Sequence, residues 1–340
     1  MAHADKGPPN NPIAAFFKIE GTPIAFVFLL LVLLFMLTAP RAFMGFRVYM
    51  SFMANVPPPM IIALGLTLVV VAGEMDLSFP SVVAFASYVF CALYQNYDMT
   101  WLALLAALAT GTVMGFVNGL VVTKLGIPSL IATLAMLFLW GGLVTVVSNG
   151  ASLAIPDIEG ELIHSVFAGR IGVFPVQFLW ALGVAVLIWM VLNRHRFGES
   201  LLFIGDNLKV AKVVGIAIDR EKIKLFTLMG LLSAFAGVLL TMETTTYFSQ
   251  AGMGYLLTVV AAVFIGGTSI FGGAGKVVGT VFGSLIVAII EAGLVASGVA
   301  GFWTRFFIGL VFIVSVTMNA AIEDPDKVPL LKDLRSRARR

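Results

Sequence analysis

Long apolar runs, separated by short polar connections, extend from residue 23 to residue 320 of the chain. Of the 340 residues, 60% are hydrophobic and only 11% are charged. Average soluble domains are about 45–50% apolar and about 25% charged, so a soluble fold would leave much of this apolar surface in water. Runs of about 20 apolar residues have the length of a helix that crosses the bilayer. The sequence therefore predicts an all-α, polytopic membrane protein with about ten transmembrane helices.

The apolar runs divide the chain into five segments. These are an N-terminal segment at 1–22, helices one to six at 23–193, a charged loop at 194–224, helices seven to ten at 225–320, and a basic tail at 321–340. A cleaved signal peptide is a competing interpretation of the first apolar run. Pro40 and Arg41 make a poor cleavage context, so we expect this run to remain as a transmembrane helix.

The basic residues indicate an orientation in the membrane. If both termini and residues 194–224 face the cytoplasm, seventeen of the 21 Lys and Arg residues lie on that side. The other four, Arg41, Arg47, Arg170 and Arg305, then lie outside. The positive-inside rule expects this bias, which explains the basic pI better than a nucleic acid partner would. The single cysteine, Cys91, and three widely separated histidines give no indication of a disulfide, a metal site or a bound cofactor.

Two of the predicted spans are interrupted. The prolines at 57–59 lie in the second span, which ends in the polar sequence AGEMDLSFPS, and we expect a broken or re-entrant segment near 72–81. Six glycines between Gly266 and Gly279 predict a second break near 266–276. This glycine-rich sequence is not a nucleotide-binding loop, because Ile270 and Val277 occupy positions that such a loop requires to be Gly and Ser or Thr.

Polar groups inside the predicted spans are the candidates for a solute path. Burying such groups in lipid costs several kcal/mol unless they line a cavity or find partners, and interrupted helices in transporters often supply the solute site. The candidates are Glu74, Asp76, Ser78, Asn118, Glu243, Thr268, Ser269 and Glu291. The alternative is that each group caps a helix or pairs with another buried group.

The charged loop at 194–224 contains its own helix signals. Asp206 and Asn207 can cap the first turn of a short helix that continues through Val214. Gly215 tolerates the left-handed conformation that ends such a helix. Lys209 and Lys212 then lie on one side, where another protein could bind. The alternative is a solvated amphipathic linker.

Four motifs resemble the permease subunits of bacterial ABC importers of the ribose, xylose and galactoside type. They are GLTLVVVAGEMDLSFPS at 65–81, KLGIPSLIATLAM at 124–136, RFGESLLFIGDNLKVAKVVGI at 196–216 and FIGGTSIFGGAGKVVGTVFGSLI at 264–286. The resemblance implies a pore in the bacterial inner membrane, formed by two permease subunits that are identical or different. It also implies two cytoplasmic ATPase subunits that hold ATP and Mg²⁺, and a periplasmic solute-binding protein. This chain would then be a transport subunit without an ATPase site of its own.

The resemblance also assigns a role to the third motif, as the passage that contacts the ATPase. The residues that carry this assignment are Arg196, Gly198, Gly205, Asp206, Asn207, Lys209, Lys212 and Gly215. The chain departs from the family pattern at Glu74, where a glycine is usual, and at Glu291, where asparagine is common. These departures leave the cargo open, although a monosaccharide or polyol is the leading hypothesis. The alternatives are a branched-chain amino acid or amide permease, and an ion-coupled carrier that uses Glu74, Asp76 and Glu291.

Overall fold

The computed structural model describes residues 21–323 of the chain. Within this range the fifteen α-helices are α1 Thr22–Thr38, α2 Pro40–Phe43, α3 Phe46–Asn55, α4 Pro57–Val71, α5 Phe79–Tyr97, α6 Thr100–Lys124, α7 Ser129–Val147, α8 Leu162–Phe167, α9 Val176–Arg194, α10 Arg196–Asp206, α11 Leu208–Val213, α12 Ile218–Thr244, α13 Tyr255–Ile265, α14 Val277–Ala296 and α15 Thr304–Glu323. Most of the predicted segment 1–22 and of the predicted tail 321–340 lies outside the described residues.

The expected ten spans are not confirmed. In the described part of the chain, six helical segments are long and apolar enough to cross a membrane, namely α6, α7, α9, α12, α14 and Gly301–Met318. A seventh is possible if α3 and α4, which meet at a bend of 50°, form one span. Three expected spans account for the lower count: α1 and α13 are short, with 17 and 11 residues, and α5 has 19 residues but ends in the polar sequence YQNY. The 11 residues of α13 rise only about 16 Å, whereas the hydrocarbon core is about 30 Å thick.

Helix α4 lies at the centre of the fold. Fourteen of its 15 residues are buried, and it packs against α9, α12, α13 and α14. A helix that is apolar on all sides is stable only when other helices surround it. Pro57 is the first residue of this helix, where a missing N–H costs nothing, so the prolines are compatible with the helix that follows them.

A row of glycines joins α6 to α12. Gly111, Gly115 and Gly119 stand four residues apart on α6. A Cβ atom added at Gly115 would lie 2.2 Å from the carbonyl oxygen of Phe226 and 3.0 Å from the Cα atom of Gly230. The two backbones therefore touch, as the spacing predicts.

The polar connection at 148–175 is not a simple loop. It contains strand β1 Leu153–Ala154, the 3-10 helix Pro156–Gly160, helix α8, and the strands β2 Arg170–Ile171 and β3 Phe174–Pro175. Strand β1 pairs in antiparallel fashion with β4 Thr246–Tyr247, and β2 pairs with β3. The all-α prediction is thus correct except for four strands of two residues each, which form where backbone leaves the helices.

Both predicted breaks are non-helical. Helix α4 ends at Val71 and α5 begins at Phe79, while α13 ends at Ile265 and α14 begins at Val277. We call 72–78 the first break and 266–276 the second break.

The predicted loop at 194–224 is largely helical. It contains α10, α11 and the first residues of α12. The expected short helix is present as α11, and α10 is an additional helix that was not expected. We call the end of the bundle formed by Lys124 and residues 194–224 the basic end, and the end formed by 148–175 the opposite end.

Candidate functional site

The first break is held by a chain of buried polar side chains. The Ser78 hydroxyl donates to Asp76 Oδ1 at 2.6 Å, and the Ser78 backbone N–H donates to the same oxygen at 2.8 Å. Asn118 Nδ2 donates to the Ser78 hydroxyl at 2.7 Å, and Trp140 Nε1 donates to Asn118 Oδ1 at 3.0 Å. Asp76, Ser78 and Asn118 are all at most 2% exposed. Three predicted path residues therefore form one network, which ties the first break to α6 and α7.

Two hydroxyl groups on helix α7 accept hydrogen bonds from backbone N–H groups of the first break. The N–H of Met75 donates to the Ser129 hydroxyl, and the N–H of Leu77 donates to the Thr133 hydroxyl, both at 3.0 Å. Non-helical backbone at membrane depth persists only where protein or water replaces the missing helical hydrogen bonds. Ser129 and Thr133 perform this function, and they begin α7 directly after Pro128.

Glu74 takes part in an ion pair. Its carboxylate accepts a hydrogen bond from Lys222 Nζ on α12, and the two side chains are only 12% and 14% exposed. The pair lies at the basic end, since α12 begins there. Glu74 is thus connected to α12, whereas its neighbours in the first break are connected to α6 and α7.

The second break contacts the first. The N–H of Gly273 donates to the carbonyl oxygen of Val71, the last residue of α4, at 2.8 Å. Thr268 is fully buried, and its hydroxyl has no hydrogen-bond partner in the described part of the chain. Ser269 is also buried, and its hydroxyl accepts from the N–H of Phe271 at 3.2 Å. The predicted path residues Thr268 and Ser269 thus lie beside the end of α4.

Glu291 lines the wall of a cavity of about 640 Å³. Polar lining residues besides Glu291 are Ser51, Asn55, Tyr255, Thr258 and Ser284. At a helical rise of 1.5 Å per residue, Glu291 lies about 21 Å along α14 from Val277. Pro59 and Tyr255, near the beginnings of α4 and α13, also line the cavity. The cavity therefore lies at the ends of these helices that are remote from both breaks.

Glu291 is exposed and forms no hydrogen bond or ion pair with another residue between 21 and 318. Among the residues between 21 and 318, it is the only Asp, Glu, Lys or Arg side chain in the wall of this cavity. Open space therefore reaches the Glu291 carboxylate. A carboxylate in such a position can bind a hydroxyl, a proton or a cation.

Glu243 lies elsewhere, at the opposite end. Gln177 Nε2 donates to Glu243 Oε2 at 2.6 Å, and Arg170 Nη2 is 3.7 Å from Glu243 Oε1. The eight predicted path residues therefore do not form one site. They divide into the network at the first break, the Glu74 ion pair, the second break, the Glu243 cluster and the cavity with Glu291.

The residues predicted to contact an ATPase lie on α10 and α11. Asn207 caps α11, because its Oδ1 accepts from the N–H groups of Lys209 and Val210 at 3.0 and 3.2 Å. Gly215 follows α11 with a φ angle of 84°, as predicted for a helix end. Asp206 instead ends α10 and does not cap α11, which corrects half of the predicted cap. Asn207 is the N-cap residue of α11 because its extended backbone places the side chain over the first turn of the helix.

The remaining members of this group differ in accessibility. Arg196, Asp206, Lys209 and Lys212 are exposed. Gly198 is buried, and a Cβ atom there would lie 2.2 Å from the carbonyl oxygen of Val191 on α9. Gly198 thus permits the tight turn from α9 to α10 and is not available to a partner. Gly205 is partly buried against the two breaks.

Sequence reasoning missed five residues that bond to the predicted ones, which are Trp140, Ser129, Thr133, Gln177 and Lys222. In the sequence, Lys222 belongs to the charged segment 194–224 and has no visible partner, although it lies one helical turn into α12. Ser129 and Thr133 have i, i+4 spacing at a helix start after a proline, which was the available signal. Trp140 has no such signal, because nothing in the sequence places it opposite Asn118.

Comparisons with known proteins give consistent matches. A family model described as "Branched-chain amino acid transport system / permease component" matches residues 48–316. The ribose import permease protein of Escherichia coli strain K12 is 32% identical over 261 residues, which are 76% of this chain and 81% of that protein. The ribose import permease protein of Bacillus subtilis strain 168 is 33% identical over 262 residues, 76% and 80% of the two chains.

An arabinose permease is similarly related. The L-arabinose transport system permease protein of Escherichia coli strain K12 is 32% identical over 258 residues, 76% of this chain and 78% of that protein. No solved structure matches the chain.

Proposed function

The chain belongs to the branched-chain amino acid transport system / permease component family, and from this premise we propose that it moves a monosaccharide or similar polyol. In this proposal it forms the membrane path of an ATP-driven importer together with a second permease subunit. The observation that carries the cargo class is the 32–33% identity to ribose and arabinose permeases over about three quarters of the chain. The family description also includes amino acid permeases, so leucine is the competing cargo.

The cavity beside Glu291 is the proposed entrance of the solute path. Its polar groups are hydroxyls, one amide and one carboxylate, which are suitable partners for the hydroxyl groups of a sugar. Its volume of about 640 Å³ is ample for a small solute. In the proposed orientation the opposite end faces the periplasm, where a solute-binding protein delivers the cargo. Both termini then lie in the cytoplasm and the chain crosses the inner membrane about ten times.

Helices α10 and α11 form the proposed contact with the ATPase. These two helices and the residue after them expose several large apolar side chains, namely Phe203, Leu208, Val210, Val213 and Val214. Val213 is 87% exposed. Contiguous exposed apolar side chains beside basic ones are typical of a protein interface. Lys209 and Lys212 flank these side chains on α11. ATP and Mg²⁺ bind to the partner in this scheme, and this chain supplies the surface that the partner moves.

Uptake by the reconstituted complex tests the proposal. The permease, its ATPase and its binding protein are placed in vesicles, and uptake of labelled ribose, arabinose and leucine is compared with and without the ATPase. We expect ATP-dependent uptake of a pentose and none of leucine. Leucine uptake would assign the chain to amino acid transport, and uptake without any ATPase would assign it to the ion-coupled carriers.

Charge reversal on α11 tests the docking surface. We expect Lys209→Glu combined with Lys212→Glu to reduce uptake and copurification of the ATPase while the chain still inserts. The matched control is Arg305→Glu, an exposed base that the proposed topology places on the other side. Equal effects of the two changes would remove α11 from the interface.

A further inference from the structure

We infer that Gly205, near the end of α10, is the positioning residue through which a displacement of α10 moves both helix breaks as one unit. The inference rests on the proposed function only in naming the partner that displaces α10. Its evidence is a backbone contact among three segments that are distant in sequence, namely the end of α4, the end of α10 and the second break.

The two breaks are joined by one backbone hydrogen bond. The N–H of Gly273 donates to the carbonyl oxygen of Val71 at 2.8 Å. Val71 is the last residue of α4, so its carbonyl has no partner within the helix and needs one from elsewhere. The second break therefore caps the helix that leads into the first break.

Gly205 packs against both atoms of this hydrogen bond. A Cβ atom added at Gly205 would lie 1.8 Å from the carbonyl oxygen of Val71 and 2.5 Å from the nitrogen of Gly273. Only a residue without a side chain can approach both atoms so closely. The end of α10 thus touches the donor and the acceptor that join the two breaks.

Further glycines extend the contact. A Cβ atom at Gly272 would lie 3.0 Å from the Gly205 carbonyl oxygen and 3.0 Å from the Gly73 Cα atom, and one at Gly273 would lie 2.9 Å from the Asp206 Cα atom. Gly73, Gly272 and Gly273 all have φ angles between 73° and 82°, which side chains rarely tolerate. The three segments therefore meet backbone against backbone.

Such a junction transmits movement efficiently. A contact made by long side chains can absorb a small displacement by changing rotamers, whereas backbone atoms in van der Waals contact have no such freedom. Gly205 is two residues from Asn207, which caps the exposed helix α11. A partner that pulls α11 consequently acts on both breaks through a short connection.

Distances between spin labels test this inference in the assembled complex. In a Cys91→Ala background that retains uptake, cysteine labels are placed in pairs on one permease subunit. One label is always at Met99, at the other end of α6 from Lys124, and the second is at Glu199 on α10, Met75 in the first break or Ile270 in the second break. The three distances are measured before and after the ATPase is trapped with ATP and vanadate.

We expect all three distances to change together, by about 2 Å or more, the scale of helix shifts in switching proteins. If only the label at Glu199 moves, or if no label moves in a complex that transports solute, the inference is overturned. Copurification of the ATPase and uptake by the unmodified complex are recorded separately, so loss of the proposed function is distinguishable from loss of the coupling.

A substitution at the junction gives the second test. Gly205→Ala places a methyl group on the Val71–Gly273 hydrogen bond, and we expect uptake to fall at least tenfold in inserted, assembled complexes. In this variant the Glu199 label should still move while the Met75 and Ile270 labels do not. Gly183→Ala is the matched control, because a Cβ atom there meets nothing within 4 Å. If Gly205→Ala fails to insert, the label distances in the unsubstituted chain still decide the question. Normal uptake by Gly205→Ala would overturn the inference.

Discussion

The ion pair between Glu74 and Lys222 allows a quantitative prediction with an internal control. Both side chains are mostly buried, with 12% and 14% exposure. A second pair, Lys124 with Asp219, also joins α12 to a neighbouring segment at the basic end, with an N–O distance of 2.7 Å and side-chain exposures of 58% and 53%. The two pairs therefore differ chiefly in burial, and we expect them to differ in energy for that reason.

The magnitudes follow from the exposures. Removing one partner of a buried pair costs about 3–5 kcal/mol, because the other charge is left without a partner. Glu74 and Lys222 retain some access to solvent, so we expect about 2–3 kcal/mol for Glu74→Gln or Lys222→Met alone. The double substitution leaves no unpaired charge and should recover about 2 kcal/mol of the summed loss. For Lys124→Met and Asp219→Asn the same coupling should be about 0.2–1 kcal/mol, as for other exposed pairs.

Double-mutant cycles measure these couplings. The free energy of unfolding is determined in mixed micelles for each single and double variant, at low and at physiological ionic strength. Added salt should reduce the coupling of the exposed pair more than that of the buried pair, because ions screen exposed charges more effectively. Equal coupling energies for the two pairs, or a value below about 0.5 kcal/mol for Glu74 and Lys222, would refute the reasoning.

Three further substitutions test other parts of the structure. Asn118→Leu should cost about 2–4 kcal/mol of unfolding free energy, since it removes the acceptor of the Trp140 N–H and the amide that donates to the buried Ser78 hydroxyl. A loss below that of Ser87→Ala, which removes one buried hydrogen bond to the Gly237 carbonyl, would contradict the network. Asn207→Ala should cost about 1 kcal/mol by removing the α11 cap, and amide exchange at Lys209 and Val210 should rise about fivefold; unchanged exchange would argue against the cap. Gly115→Leu should prevent close packing of α6 on α12 and lower the thermal stability strongly, whereas Gly142→Leu, where a Cβ atom meets nothing within 4 Å, should not.

Local signals predicted the two helix breaks and one helix cap correctly. Prolines at 57–59, the glycine cluster at 266–276 and the Asn207 cap act on neighbouring backbone, so their effect is visible in a short window of sequence. The glycine spacing at 111, 115 and 119 likewise predicted a close helix contact, because it places three small residues on one face. It did not predict the partner, which is α12.

Pairings across the fold could not be predicted from the residues. Glu74 and Lys222 are 148 positions apart, and no local pattern connects them. Asn118 was recognised as a buried polar group, but its roles as donor to Ser78 and acceptor from Trp140 depend on how α6 and α7 pack. Helix α10 was missed for a different reason. Its charged residues suggested a loop. Leu201 and Ile204, three residues apart, are nevertheless buried and form the inner face of an amphipathic helix.

The partners of the buried polar groups favour the proposed ATP-driven importer over an ion-coupled carrier. An ion-coupled carrier needs carboxylates that can exchange a proton or cation with solvent during each cycle. Glu74 is held by Lys222, and Asp76 accepts two hydrogen bonds from Ser78 in a fully buried network. Releasing Glu74 would remove the hydrogen bond between the first break and α12, and releasing Asp76 would leave the Ser78 hydroxyl and backbone N–H without their acceptor. Glu291 alone among these three faces open space without a described partner, whereas Glu74 and Asp76 are bonded within the break that Gly205 contacts. This difference fits the proposal that Glu291 lies at the entrance of the solute path.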